Sequence, residues 1–347
     1  MAGASESLVG IRSMWSVSNL TPFAVARSWG RDRDGIHEWI IAVKGTFDIM
    51  PDGNLKLADE QIEPRLLPEF HGEDGLSSLR YEADLVSPKP TTDIIINGTA
   101  YAPKGVPSKE FQVSARVGPI RKAIKVVGNR TWERKMLGLA HSAMEPVTRV
   151  PIVYERAYGG FDDADPDPRK QRLDARNPVG CGLVIRPGLP LPNFEYPDGK
   201  LEKAGPAGFG AIASYWSPRR ELQGTYDEDW KRDRYPLLPA DWDPKSLLCS
   251  PADQRPGEPL LGGEPVELLN LTPDGSLRFV LPKVALSFRT KFSRLFGRRT
   301  EGHEAGLATV IIEPDHPRLI MLWSGCLLYR GEVDYLDETI VSGKYLT

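Results

Sequence analysis

The side chains able to do chemistry are few and scattered. Five histidines, His37, His71, His141, His303 and His316, never fall at a ligand spacing such as i, i+4, and none neighbours a cysteine. A zinc site would need several ligands converging from distant segments, so each histidine reads as solvated or satisfied in a core. Asp163, Asp165 and Asp167 imitate the alternating carboxylates of a calcium loop. Pro168 stands where that loop needs its sharp-turn glycine, and Asp174 replaces the closing glutamate, so an acidic surface turn is expected. There is no G-x-S-x-G elbow, no P-loop and no G-x-G-x-x-G after a strand. Ser324 lacks the preceding glycine of an elbow. Gly205, Gly208 and Gly210 precede no amphipathic helix that would aim a dipole at phosphate. No catalytic residue, metal ligand or cofactor is expected.

Two features suit binding better than catalysis. Arg289, Lys291, Arg294, Arg298 and Arg299 interleave with Phe288, Phe292, Leu295 and Phe296. Such a stretch docks an acidic partner or anionic surface, or is an element edge with buried rings and solvated charges. The second feature is residues 160–265, dense in Pro, Gly, Asp and Arg. Phe161, Phe194, Tyr196, Phe209, Tyr215, Trp216, Tyr226, Trp230, Tyr235 and Trp242 all lie there. Disordered chain is poor in aromatics, so the backbone is read as irregular but ordered. Its rings line a sugar groove or, by the burial such rings favour, form a miniature core of their own.

The elements that would carry these residues read as strands. Residues 39–47 are β-branched and aromatic, stopped by Met50-Pro-Asp-Gly53, whose Pro-Asp-Gly suits a turn. Residues 92–96 form a short apolar burst expected of a strand covered on both faces. Phe111, Val113, Ala115 and Val117 alternate with polar residues, and 122–127 continue the style after a Gly118-Pro119 hairpin connection. Further strands are predicted at 55–57, 276–281, 284–288, 307–312 and 318–323, with turns at 272–275 and 313–317. Short helices are predicted near 227–232 and 291–296. The expected fold class is mainly β, an antiparallel sandwich- or barrel-like body with little helix. It reads as a single domain over 1–347, with N-terminal strands in 13–160, the irregular insertion in 161–265 and C-terminal strands in 266–347; two β domains are the alternative.

Composition agrees. The 347 residues include 33 Gly and 31 Pro, too many breakers for a helical bundle, coiled coil or helical solenoid. With 44 basic and 47 acidic residues the net charge is −3, unlike a nonspecific nucleic-acid binder. Three cysteines, Cys181, Cys249 and Cys326, are far apart and odd in number, suggesting a reducing compartment. No export signal and no membrane span is legible, and a cytoplasmic location is expected.

The middle of the chain carries recognisable phrases in order. They are Tyr154-Glu-Arg-Ala-Tyr-Gly-Gly160, Asn177-Pro-Val-Gly-Cys-Gly182, Pro206-Ala-Gly-Phe-Gly210, Trp216-Ser-Pro-Arg219, Gly224-Thr-Tyr-Asp-Glu-Asp-Trp230, Ala252-Asp-Gln254 and Leu261-Gly-Gly-Glu264. From about Asn19 to Trp323 the sequence resembles the bacterial family called domain of unknown function 2169. The resemblance implies a type VI secretion context and a non-enzymatic adaptor or chaperone. Such a protein would bind an effector toxin and help load it onto the VgrG spike. Candidate partner-binding residues are Tyr226, Asp227, Trp230, Arg232, Arg234, Tyr235 and Trp242. The remaining motif residues are expected to be structural: Glu155, Arg156, Tyr158, Gly159, Gly160, Asn177, Pro178, Gly180, Gly208, Phe209, Gly210, Arg219 and Gly224. In that role Arg156, Arg219 and Arg234 would anchor loops on acids such as Asp227. The rival readings are a hydrolase acting on carbohydrate or peptide through an aromatic-lined cleft, and an immunity-like toxin-binding protein.

Overall fold

The computed structural model describes residues 14–136, 138–294, 297–331 and 333–345. Its backbone is a central sheet with the strand order Ala24–Arg31, His37–Ile49, Arg318–Tyr329, Gly306–Glu313, Asp93–Ile96. Leu55–Leu57 adds to the end of His37–Ile49 across the predicted Met50–Gly53 turn. Neighbours are antiparallel except Asp93–Ile96, which runs parallel to Gly306–Glu313. Ile94, Ile96, Val310, Ile312, Leu319 and Met321 face one core, while Ile95, Ile311 and Ile320 face another. Both faces are covered, which is why these strands read as continuous apolar runs rather than alternation.

The second sheet is antiparallel throughout, in the order Phe194–Glu195, Ile120–Val127, Glu110–Val117, Pro265–Leu269, Ser276–Val280. Val117 lies opposite Ile120 and Leu269 opposite Ser276, so the turns predicted at 118–119 and 272–275 are hairpin connections. Here alternation holds: Val113, Ala115, Val117, Ile124 and Val126 are buried, and polar residues between them face solvent. The third sheet orders Ser16–Asn19, Leu336–Tyr345, Val284–Arg294, Gly297–Glu304. Inward residues of all three sheets meet in the first core. The protein is mainly β, with predominantly antiparallel sheets that do not close into a barrel.

The helix predicted over 291–296 is corrected. Residues up to Arg294 extend a strand paired on both sides, with Phe288, Thr290 and Phe292 buried and Arg289 and Lys291 exposed. That period of two wins because the aromatic face has a sheet partner to bury against. Leu295 and Phe296 lie outside the described residues. The other short helix forms at Glu228–Asp233.

The middle region does not keep its aromatics in a miniature core of its own. Phe194 and Phe209, fully buried, enter the first core. Tyr154 and Trp216 roof the opposite face of the central sheet beside Leu79, Tyr81 and Cys249. Irregular backbone is thus the second layer of this sheet, where a helix would ordinarily lie.

All three cysteines are free thiols. Burial pushes Cys181 up to about 11 and Cys326 up to about 12, and raises Cys249 as well. Thiolate is the reactive form, so the folded protein at neutral pH should resist a thiol-titrating reagent that labels all three positions after denaturation. Rapid labelling of the native chain would contradict this burial. Among the described residues no helix is long and apolar enough to cross a membrane.

Candidate functional site

The roof is tied to the central sheet through one buried carboxylate. Asp93 opens the edge strand and is fully buried. It accepts hydrogen bonds from Lys89 Nζ (2.8 Å), Cys249 N (3.0 Å), Ser250 N (2.8 Å) and Ser250 Oγ (2.6 Å). Burial alone would raise its pKa, but the Lys89 ammonium and the Ser250 donors hold it down at about 2. Gln254, in the Ala252–Gln254 turn, donates to the carbonyls of Ile94 and Phe209. Phe209 O in turn accepts from Ile96 N. The roof therefore consumes the hydrogen-bonding edge of the sheet, which would otherwise be a template for unwanted pairing.

Most motif residues hold this roof. Asn177, fully buried, donates through Nδ2 to the carbonyls of Tyr154 (2.7 Å) and Tyr158 (3.0 Å). Glu155 accepts from Ser78 N and Ser78 Oγ, and Arg156 donates to Asn193 Oδ1. Arg219 is buried, donates to the carbonyls of Ser246 and Ile212, and pairs with Glu82. Tyr158 and Phe209 are buried, and Pro178 is half-buried between Asn177 and Gly180. Gly208 lies where an added methyl would meet the Tyr154 ring at 2.9 Å. Gly210 O accepts from the Tyr154 hydroxyl. Gly160 has φ +121°, and its carbonyl accepts from Asp174 N. Gly224 takes φ +84° to end the turn before the next segment.

Residues 224–242 stand apart as an excursion on the surface. Asp227 caps its helix, accepting from Trp230 N at 2.8 Å. This corrects the expectation that Asp227 is a partner for the arginines: the carboxylate serves the helix N-terminus. Arg234 instead reaches the Ala24–Arg31 to His37–Ile49 turn, donating to Arg33 O and lying 3.8 Å from Asp34. Trp230 Nε1 donates to Leu237 O, and its ring stacks edge-on with Tyr226 (4.8 Å) and Tyr235 (5.6 Å). Tyr226 is 52% and Tyr235 70% exposed. Arg232 pairs with Asp229 and Asp233 in solvent, and Trp242 is half-buried. Trp230 and Arg234 thus brace the excursion, while the two tyrosines present their rings outward.

The remaining sequence candidates are separate from this excursion. Asp167 caps a short turn through Arg169 N, and Asp165 accepts from Asp167 N. Among the described residues no three His, Cys, Asp or Glu side chains gather as a metal would require. Arg289, Lys291 and Arg299 are exposed on the third sheet, with Lys291 paired to Glu338 and Arg299 to Glu301. Sequence reading missed Lys89 and Asp93, whose spacing of four mimics an ordinary surface pair. It also missed a row of charges on the second sheet, although the predicted hairpin at 118–119 places Arg116 opposite Arg121.

Irregular backbone roofs a doubly covered sheet in this mainly β protein, with a braced aromatic excursion at its side. Residues 34–324 match the family described as "Uncharacterized protein conserved in bacteria (DUF2169)", and the chain belongs to it. No curated protein and no solved structure matches the chain.

Proposed function

We propose that the protein acts by binding, as an adaptor that holds a type VI secretion effector and presents it to the VgrG spike. The observation that carries this reading is the aromatic ladder of Tyr226, Trp230 and Tyr235. Its outer rings are exposed, yet they sit on a segment fixed by a capped helix, the Trp230 indole bond and the Arg234 brace. Rigid exposed aromatics lose little entropy on docking and dominate binding hot spots. The secretion context is part of the proposal and rests on what the sequence resemblance implies.

The test is co-expression with a type VI effector toxin and a VgrG spike protein from the same genome, followed by co-purification. Wild type should retain the toxin. Replacing Tyr226 and Tyr235 together by alanine should weaken capture by about 1–3 kcal/mol for each hot-spot ring while leaving the melting midpoint unchanged. Trp230→Ala should lower binding and stability together, because Trp230 is a brace. Failure of the wild type to retain either partner, or unaltered capture by the double tyrosine variant, would sink the reading.

A further inference from the structure

The solvent face of the second sheet carries a charge row that nothing in the fold uses fully. Arg121, Arg116, Glu267 and Arg278 are successive cross-strand partners on four neighbouring strands. Glu267 divides its two oxygens between Arg116 (3.8 Å) and Arg278 (3.2 Å). Arg121 has no ion pair among the described residues and stands directly opposite Arg116. Like charges directly opposite on a sheet repel and destabilise it. Two residues along, on the same face, runs a row of smaller side chains: Ala123, Ser114, Leu269 and Ser276. The two rows line an open depression of about 370 Å³.

We infer that this face is a docking site for an acidic, extended polypeptide segment of a partner protein. A carboxylate set between Arg121 and Arg116 would turn their repulsion into a shared clamp, since guanidinium forks bind carboxylates in two-pronged fashion. Arg278 offers a second anchor across the sheet. Three strand steps of about 4.8 Å separate Arg121 from Arg278, and an extended peptide covers that in about four residues. The ligand chemistry is therefore two acidic residues separated by about three uncharged ones. Glu267, between the anchors, disfavours continuous polyanions. The row has no aromatic ring on which a base would stack, and the chain is net acidic, so nucleic acid is the poorer occupant. Free phosphate favours nests of unused backbone amides, whereas Arg116 and Glu267, in the middle of the row, lie on strands paired on both sides. The site is distinct from the 224–242 excursion, so it goes beyond the adaptor reading and does not depend on it.

The experiment is fluorescence anisotropy of the full chain with a short labelled peptide carrying two glutamates at that spacing, against its glutamine twin. The acidic peptide should bind about tenfold tighter or better, with the advantage shrinking as salt rises. Arg121→Glu should remove at least about tenfold of that affinity. Arg121 is exposed, so the variant should fold. Lys125→Gln, off the row and paired with Glu110, serves as the control and should leave binding unchanged. In the absence of peptide, Arg121→Gln should raise the melting midpoint at low salt, because it relieves the repulsion with Arg116. Equal binding of the twin peptides, unaltered binding by Arg121→Glu, or tighter binding of a single-stranded oligonucleotide would overturn the inference.

Discussion

Asp93→Ala is expected to cost about 3–5 kcal/mol of folding stability, the loss typical of removing one partner from a buried ion pair. The substitution strands the Lys89 ammonium, whose side chain is 3% exposed and whose remaining partner is Thr309 Oγ1 at 2.9 Å. It also orphans the backbone donors of Cys249 and Ser250, each buried, at the point where the roof meets the sheet edge. Lys89→Met should cost less, because Asp93 would keep its Ser250 and Cys249 donors. The ordering of the two variants in urea melts is the discriminating result. Similar losses, or a loss below about 1 kcal/mol for Asp93→Ala, would show that the carboxylate is not the tie between roof and sheet.

The same carboxylate sets part of the acid response. Its folded pKa, about 2, lies below the ordinary 3.8, so its stabilisation is complete above 3.8 and is lost as pH falls toward 2. His303 acts earlier and in the same direction. Burial lowers its pKa from 6.5 to about 4, and it packs edge-on against Phe288 with no hydrogen-bond partner for either ring nitrogen among the described residues. The unfolded chain takes up that proton first, so stability declines between 6.5 and 4. Wild-type protein should therefore weaken in two acid windows, and Asp93→Ala should flatten the lower one.

Local patterns in the sequence reach as far as single elements. The Gly118-Pro119 and Pro-Asp-Gly turns, the alternation at 111–117 and the apolar burst at 92–96 each reflect backbone chemistry within a few residues, and the corresponding strands form. The stretch 291–296 misleads because short runs of rings and cations suit either period. Only the flanking strands Leu336–Tyr345 and Gly297–Glu304 decide for a strand. The roof was legible as ordered and irregular but not as a covering layer. Its partners, Asp93 for Ser250 and Glu82 for Arg219, lie more than a hundred residues away, and no local signal records them. The excursion at 224–242 was legible as aromatic and partly exposed. Which ring braces and which presents depends on where one indole N–H finds a carbonyl.

Gly159→Ala is expected to abolish the soluble fold or to be the most costly of four glycine substitutions compared side by side. Two penalties add there. The backbone sits at φ +150°, a region that side chains avoid at a cost of about 1–3 kcal/mol. A methyl would also lie 2.2 Å from Asn177 O and 2.8 Å from Asn177 Cβ, against a residue that is fully buried. Asn177 cannot retreat without releasing the carbonyls of Tyr154 and Tyr158, and Tyr154 packs edge-on with Trp216 in the roof. Gly180→Ala isolates the steric part: its φ is unexceptional, yet a methyl would fall 2.3 Å from Asn177 Nδ2. Gly138→Ala isolates the conformational part, with φ +123° and nothing within 4 Å. Gly257→Ala carries neither penalty and should be neutral or stabilise by up to about 1 kcal/mol through the unfolded chain. The expected order of urea midpoints is therefore Gly257→Ala highest, then Gly138→Ala, then Gly180→Ala, with Gly159→Ala lowest. If Gly180→Ala melts with wild type, Asn177 has room to move. The Tyr-Gly-Gly and Asn-Pro-Val-Gly phrases would then have to be held by something other than packing, and a ligand or partner at that crevice would become the explanation to pursue.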